Sequence, residues 1–285
     1  MEKNIQASRM LIVPWDFSLM AEFAIEHALR IAKTLEKEIT LLHVVEKKTS
    51  EANRVEILKK LDEKAAEIQN LHGVMTKTVV LEGHIFSAIS DYAGEIEANM
   101  VVMGTHGIQG TQKLTGSYAF KVIAGSKVPF LVVQSHPNNN ERFRNIVFPI
   151  DFRSEDKEKL FWAIYLGKYF SSTVHIIRKH ATDKSLLQKT NKNLNFAVRF
   201  LIQNNLEYQI HEAPKGNFDK ETVKFSQEIN ADLILIMTSK HITFFTYFLG
   251  APEQNLIANS AKIPVMCVNP RANFAKMGQF LYGGN

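Results

Sequence analysis

Four residues in the first half of the chain have the types and spacing that ligand binding would require. Gly104 and Gly107 follow an apolar segment, and Gly116 and Ser117 come after eight further residues, where a helical pattern begins. Glycine lets the backbone approach a ligand closely, and the free N–H groups at the start of a helix attract anions. The pattern therefore indicates a phosphate-binding loop, although glycines at strand ends also occur as ordinary turn residues.

Asp16 and Ser18 are further candidates because they directly follow an apolar run that ends in Pro14 and Trp15. Both residue types accept backbone N–H hydrogen bonds at the start of a helix, so a capping role and a ligand-binding role are compatible here. The sequence has no recognisable pair of carboxylates, nucleophile–base pair or metal-binding cluster, and His106 alone does not make a catalyst. We therefore expect a binding protein rather than an enzyme.

The chain contains an internal repeat. Residues 10–18 and residues 146–154 are each an apolar run that ends in Asp-Phe, and Asp16 and Asp151 occupy matching positions 135 residues apart. Such self-similarity indicates tandem copies of one domain. We predict a first domain over residues 1–137, a second over residues 141–270 and a C-terminal tail over residues 271–285.

Each copy alternates short apolar segments with longer segments of helical period. In the first copy the predicted strands are at about 10–15, 38–45, 76–82, 99–103 and 129–134, and the predicted helices at about 18–35, 50–71, 85–96 and 115–125. Buried strands that alternate with helices form a parallel sheet covered on both faces. We therefore predict two tandem α/β domains, each a doubly wound five-stranded parallel sheet that binds ligands at the carboxyl ends of its strands.

The composition narrows the range of partners. The net charge is +5 and the isoelectric point is about 9.1, but lysine and arginine are scattered among acidic residues, so we expect no nucleic-acid surface. The single cysteine, Cys267, lies in an apolar run and reads as a core residue. No signal peptide or membrane-length apolar run is recognisable, so we expect a cytoplasmic protein with no membrane partner.

Four stretches together resemble the universal stress protein family, and the resemblance extends over both copies. These stretches are residues 11–18, 41–45, 102–117 and 126–133. The resemblance implies an adenine-nucleotide α-hydrolase-like fold, a role in stress response or signalling, and ATP or AMP as ligand, with Mg²⁺ as a candidate companion ion. It also implies that the last strands, Phe130–Gln134 and Val265–Asn269, pair in an intramolecular pseudo-dimer, with a homodimer and unknown protein partners as further expectations.

The same resemblance assigns residues to a nucleotide site in the first copy. Asp16 falls on the adenine or ribose side, Val44 in the base pocket, and the glycines with Ser117 around the phosphates. The ATP-binding branch of the family separates its second and third glycines by nine residues, whereas this chain has eight. The complete set of implied nucleotide-binding residues is Pro14, Trp15, Asp16, Ser18, Val44, Met103, Gly104, His106, Gly107, Gly116, Ser117 and Tyr118.

The second copy lacks most of this motif. It has Thr238, His241, Ala251 and Lys179 where the first copy has Gly104, Gly107, Ser117 and Val44. An aromatic segment, residues 244–248, replaces the polar loop of the first copy. Two alternatives to nucleotide binding therefore stay open: a nucleotide-free protein-interaction module, and an aromatic-lined site for an apolar ligand in the second domain. An adenylating enzyme is disfavoured because residues 14–18 are not a serine- and glycine-rich pyrophosphate loop.

Overall fold

A computed structural model of the protein describes residues 10–105, 123, 126–138, 143–153, 156–238, 256–257 and 259–269. The chain divides into two compact units, unit 1 over Met1–Asn139 and unit 2 over Asn140–Asn285. Both units are α/β, which confirms the predicted fold class. In the described part of the chain, no helix combines the length and the apolar character that crossing a membrane requires.

Unit 1 alternates strands and helices along the chain. Its described elements are β1 (Met10–Pro14), α1 (Leu19–Leu35), β2 (Glu38–Val45), α2 (Glu51–His72), β3 (Thr76–Glu82), α3 (Ile85–Glu95), β4 (Met100–Gly104) and β5 (Phe130–Val133). These bounds lie within two residues of the predicted ones. The predicted helix at 115–125 lies outside the described residues, apart from Ile123.

The strands of unit 1 form a parallel sheet in the order β3-β2-β1-β4-β5. The central strand β1 is buried because it has a strand on each side and helices over its faces. Leu11 and Ile12 have no exposed surface, and they pair with Ile39 and Thr40 of β2. On its other side, β1 pairs with β4 through Ile12 and Val101. An uninterrupted apolar strand is what this doubly covered position requires.

The helices of unit 1 begin at polar caps. The Ser18 hydroxyl oxygen accepts a hydrogen bond from the backbone N–H of Ala21, and the Ser50 hydroxyl accepts one from the N–H of Asn53. Each bond satisfies a donor that has no partner within the helix. The helix α1 then buries a broad apolar face against the sheet, whereas α2 buries only Leu61, Ala65 and Ile68.

Unit 2 repeats this architecture. Its described elements are β6 (Asn145–Ile150), α4 (Asp156–Phe170), β7 (Thr173–Arg178), α5 (Lys184–Gln203), β8 (Tyr208–Glu212), α6 (Phe218–Glu228), β9 (Leu233–Met237) and β10 (Val265–Val268). All of its described strand pairs are parallel, in the order β10-β9-β6-β7-β8. Cys267 is buried in β10, as expected of a core residue.

The turns between helices and strands share a backbone conformation in the two units. One residue in each of three matching turns has a positive φ, which is the left-handed region that side chains other than that of glycine enter at a cost of about 1–2 kcal/mol. In unit 1 these residues are Glu36, Gly73 and Glu97, with φ values of 52°, 67° and 49°; in unit 2 they are Ser171, Asn205 and Asn230, with values of 53°, 55° and 50°.

A buried histidine ties the segment after β5 to α1. The side chain of His27 is 1% exposed, and its Nε2–H donates to the carbonyl oxygen of Ser135 over 3.2 Å. The neighbouring His136 places its Nδ1 2.7 Å from Glu26 Oε2, and its ring centroid lies 4.3 Å from that of Phe23. Burial lowers the pKa of His27 from 6.5 to about 4; the Ser135 hydrogen bond opposes this shift.

This pKa predicts an acid-sensitive stability. Between about pH 6.5 and pH 4, His27 binds a proton in the unfolded chain but stays neutral in the folded chain. The free energy of unfolding therefore falls as the pH falls through this range. The expected loss is roughly 3 kcal/mol across the window. The variant His27→Gln should lose this part of the pH dependence in urea unfolding. His72→Gln, which changes an exposed histidine, should retain it, and equal pH dependence in both variants would contradict the prediction.

Candidate functional site

The sheet order of unit 1 creates a switch point between β1 and β4. The chain runs from β1 outward through β2 to β3 and then returns to the other side of β1 as β4. Parallel strands end at the same edge, and doubly wound sheets bind their ligands beside such a switch point. Asp16 lies two residues beyond β1, Gly104 is the last residue of β4, and Val44 is the second-last residue of β2. The structure therefore brings these three predicted residues to one edge.

Asp16 is held in a defined orientation by Ser18. Its Oδ1 accepts hydrogen bonds from the backbone N–H of Ser18 over 3.0 Å and from the Ser18 hydroxyl over 2.5 Å. Ser18 is in turn the N-cap of α1, with its hydroxyl oxygen 3.3 Å from the backbone nitrogen of Ala21. The side chain of Asp16 is exposed, and its Oδ2 has no hydrogen-bond partner among the described residues. Capping and ligand binding are thus compatible at this position.

Trp15 is buried beside Asp16 and ties the turn after β1 to β2. It is 3% exposed, and its backbone N–H donates to Leu42 while its carbonyl oxygen accepts from Nδ1–H of His43 over 2.6 Å. That bond fixes the His43 tautomer, because a carbonyl can only accept. The Lys64 ammonium lies 5.5 Å from the Trp15 ring centroid. The indole Nε1 is buried without a partner in the described part of the chain.

Phe17 and Val44 provide apolar surface at the same edge. Phe17 adopts a φ of 62°, is 44% exposed, and its ring centroid lies 5.4 Å from that of His43. Val44 is half-buried and pairs with Leu81 of β3. An exposed aromatic ring beside a half-buried aliphatic side chain is suited to contact with a planar base.

Gly104 contacts protein rather than an open space. A Cβ added there would overlap the backbone carbonyl group of Met20 and lie 2.9 Å from Met20 Cβ. The first turn of α1 therefore packs directly against the end of β4, and glycine is required by that close approach. The sequence pattern gave the ligand as the reason for this glycine, whereas the described contact is with the helix. Met103 precedes it and is half-buried.

The remaining predicted nucleotide-binding residues lie outside the described residues. They are His106, Gly107, Gly116, Ser117 and Tyr118. The aromatic segment 244–248 and the tail 271–285 also lie outside them. Among the residues that are described, no three histidine, cysteine, aspartate or glutamate side chains are grouped so that they could hold a metal ion.

The matching carboxylate of unit 2 is engaged by its own chain. Asp151 is 8% exposed; its Oδ1 accepts from the backbone N–H of Arg153 and its Oδ2 from the Arg153 Nε–H, both over 2.8 Å. Asn193 holds the same turn by donating to the carbonyl oxygens of Asp151 and Arg153. Arg153 was not identified from the sequence. The repeat offset of 135 residues could have found it, because that offset pairs Arg153 with Ser18 and so replaces a hydroxyl with a cation.

Two further positions distinguish unit 2. Lys179, in the place of Val44, lies with its ammonium 5.8 Å from the Phe152 ring centroid and 5.9 Å from that of Phe218. Thr238, in the place of Gly104, is 1% exposed and donates its hydroxyl to Asn269. Unit 2 thus has a β-branched side chain at the position where, in unit 1, Gly104 lets the first turn of α1 pack against the end of β4.

The fold is that of an α/β protein of the doubly wound class, with a switch point between β1 and β4 of unit 1. The model of the universal stress protein family matches residues 8–134. A universal stress protein of Methanocaldococcus jannaschii is 30% identical over 143 residues, covering 44% of this chain and 82% of the relative. Another, from Synechocystis sp., is 32% identical over 133 residues, covering 44% and 85%. The chain therefore belongs to the universal stress protein family.

Solved structures extend the fold comparison to most of the chain. The crystal structure of a universal stress protein from Archaeoglobus fulgidus matches with a TM-score of 0.75 at 19% identity, covering 93% of this chain and 98% of that one. A functionally unknown protein from Pseudomonas aeruginosa PAO1 matches with a TM-score of 0.61 at 16% identity, covering 97% and 98%. Since these matches reach well beyond residues 8–134, unit 2 shares the fold.

The contact of Gly104 with Met20 predicts a large effect of one methyl group. Gly104→Ala should lower the free energy of unfolding by about 1–3 kcal/mol, because the added carbon overpacks a backbone contact. Gly94→Ala is the matched control. Gly94 lies in α3, and the added carbon would be 3.6 Å from Lys127 Cδ, which is an ordinary contact distance. It should be neutral or stabilising by up to about 1 kcal/mol. Equal unfolding midpoints in urea for the two variants would contradict the packing account.

Proposed function

We propose that unit 1 binds an adenine nucleotide, ATP or AMP, at the edge formed by β1, β2 and β4, and that the occupied protein acts through protein partners. The observation that carries this proposal is the exposed carboxylate of Asp16 at the switch point. One of its oxygens is oriented by Ser18, and the other is open toward a ligand. A carboxylate held in this way suits the hydroxyl groups of a ribose.

The neighbouring side chains support a base beside that ribose. Val44 and Phe17 offer apolar contact area at the same edge of the sheet, and the buried Trp15 anchors the turn that carries Asp16. The family resemblance assigns the phosphates to His106, Gly107, Gly116, Ser117 and Tyr118, which would approach from beyond β4. A Mg²⁺ ion would be held mainly by phosphate oxygens and water, which is the ordinary arrangement for this ion.

A comparison of the matching positions in the two units supports unit 1 rather than unit 2 as the nucleotide site. Arg153 satisfies both carboxylate oxygens of Asp151, so a ribose would have to displace an ion pair that also holds the turn. Lys179 brings a cation to the position where a base needs an apolar wall. Either change weakens nucleotide binding, and unit 2 carries both.

Binding without catalysis is part of the proposal. The Ser18 hydroxyl is the one nucleophile-type group in the described turn after β1, and it is occupied as the cap of α1. The His43 ring directs Nδ1 at the Trp15 carbonyl oxygen rather than at Ser18. The Ser18 hydroxyl donates instead to the Asp16 carboxylate, and a carboxylate is a weaker base than the imidazole that commonly activates a serine nucleophile.

The proposal predicts that Asp16 controls nucleotide affinity and that Asp151 does not. Native mass spectrometry of the purified protein should detect a co-purified adenine nucleotide, and calorimetry should give one site for ATP or AMP. Asp16→Asn should weaken binding by about ten-fold, because the amide still accepts from Ser18 but loses the charge-assisted bond to the ribose. Asp151→Asn is the matched control and should leave affinity unchanged.

The opposite pattern would contradict the site assignment. If Asp151→Asn abolished binding while Asp16→Asn did not, the nucleotide would occupy unit 2. If the wild-type protein bound no adenine nucleotide with or without Mg²⁺, a nucleotide-free interaction module would account for the chain better. Thermal unfolding of both variants separates loss of the site from loss of the fold.

A further inference from the structure

We propose that unit 2 carries a separate site for a phosphate group, in a groove beyond the carboxyl ends of β7 and β8. The groove has a volume of about 180 Å³. Three of its lining residues follow β7, namely Lys179, His180 and Thr182. The other four lie between β8 and the first turn of α6 and are Pro214, Lys215, Gly216 and Phe218. All of them belong to unit 2, so this site is independent of the nucleotide site proposed for unit 1.

Lys179 is held in place without being neutralised. Its ammonium lies 5.8 Å from the ring centroid of Phe152 and 5.9 Å from that of Phe218, and it makes no ion pair with any described residue. Contact with aromatic faces positions a cation but leaves its charge and its N–H donors in place. A half-buried ammonium of this kind is ready to bind an anion.

Lys215 adds a second uncompensated cation. It is exposed, and it too has no carboxylate partner within the described residues. The caps of α3 and α6, His84 and Asn217, are equivalent, so Lys215 stands where unit 1 has Glu82. At these two positions together, with Lys179 in place of Val44 and Lys215 in place of Glu82, unit 2 carries three more positive charges than unit 1.

The acidic residues around the groove do not cancel these cations. Glu212 is engaged by Arg178 over 2.6 Å and by His180 over 3.3 Å, and both partners lower its pKa. Glu221 lies near Gly216, where an added Cβ would be 3.5 Å from its Oε1, and Asp219 lies in the first turn of α6. Asp183 caps α5 by accepting a hydrogen bond from the backbone N–H of Leu186. None of these four carboxylates lines the groove, whereas Lys179 and Lys215 both do. An anion in the groove would therefore meet two ammonium groups directly.

The charge and the size of the groove select the ligand. A phosphate monoester carries between one and two negative charges at neutral pH, which suits two ammonium groups. The Thr182 hydroxyl can supply a further hydrogen bond, whereas Pro214 and Phe218 offer apolar contact to the group that the phosphate is attached to. Because 180 Å³ is less than a drug-sized ligand fills, the ligand class is inorganic phosphate or a small phosphate monoester.

The test is a titration of the isotopically labelled full-length protein, followed by backbone amide NMR shifts. Inorganic phosphate and phenyl phosphate are the two probes, and chloride keeps the ionic strength constant. We expect saturable shifts centred on residues 179–182 and 214–218. Lys179→Met and Lys215→Met should each weaken binding by about two- to five-fold, the range for one partially exposed ion pair. Lys189→Met removes an equally charged exposed side chain outside the groove and should change nothing.

The two probes distinguish the sources of the phosphate. Equal affinity for both indicates that the phosphate group alone is recognised, whereas tighter binding of phenyl phosphate indicates a monoester whose organic part contacts Phe218. Shifts that do not saturate, or that respond equally to Lys189→Met and to the groove variants, would overturn the proposal. Lys215 is exposed, so its replacement leaves the fold intact and the test decisive. Asp16→Asn should leave these shifts unchanged, which separates this site from the nucleotide site.

Discussion

The parallel pairing of β1 with β2 on one side and with β4 on the other is the constraint on which unit 1 depends. A strand with neighbours on both sides and helices above and below has to be apolar along its whole length, as Leu11, Ile12 and Val13 are. Parallel pairing also forces every connection to cross back over the sheet, which supplies the helices. The two consequences meet at one edge, where all the strands end and where polar residues first become possible.

Much of this arrangement could be predicted from the sequence, because burial and crossover leave strong periodic signals. The strands and helices of unit 1 follow from apolar runs and three- to four-residue steps, and the duplication follows from matching Asp16 with Asp151. The contacts of Gly104 could not be predicted in the same way. A glycine at the end of a strand signals a close approach but does not identify the partner, and here the described partner is the Met20 backbone.

The differences between the two units are local, and comparison of the two halves of the sequence located some of them, such as Lys179, but not Arg153. Ser18 and Arg153 occupy matching positions, yet one leaves a carboxylate oxygen open and the other closes both oxygens. That distinction depends on which way a side chain folds back within three residues, and no periodic pattern encodes it. Lys179 is similar: its identity was visible in the sequence, whereas its proximity to Phe152 and Phe218 depends on where β6 ends and α6 begins.

The left-handed turns that follow the helices have a consequence for how such duplicated chains diversify. Glutamate, glycine, serine and asparagine all occupy these turns, so the backbone keeps its path whether or not the local residue prefers it. Each pair of successive turns therefore brackets a cassette of one strand, one loop and one helix, and both ends of the cassette have the same backbone conformation. Cassettes exchanged between the two halves of the chain would enter in register, and recombination could transplant ligand chemistry from one half to the other without redesigning the scaffold.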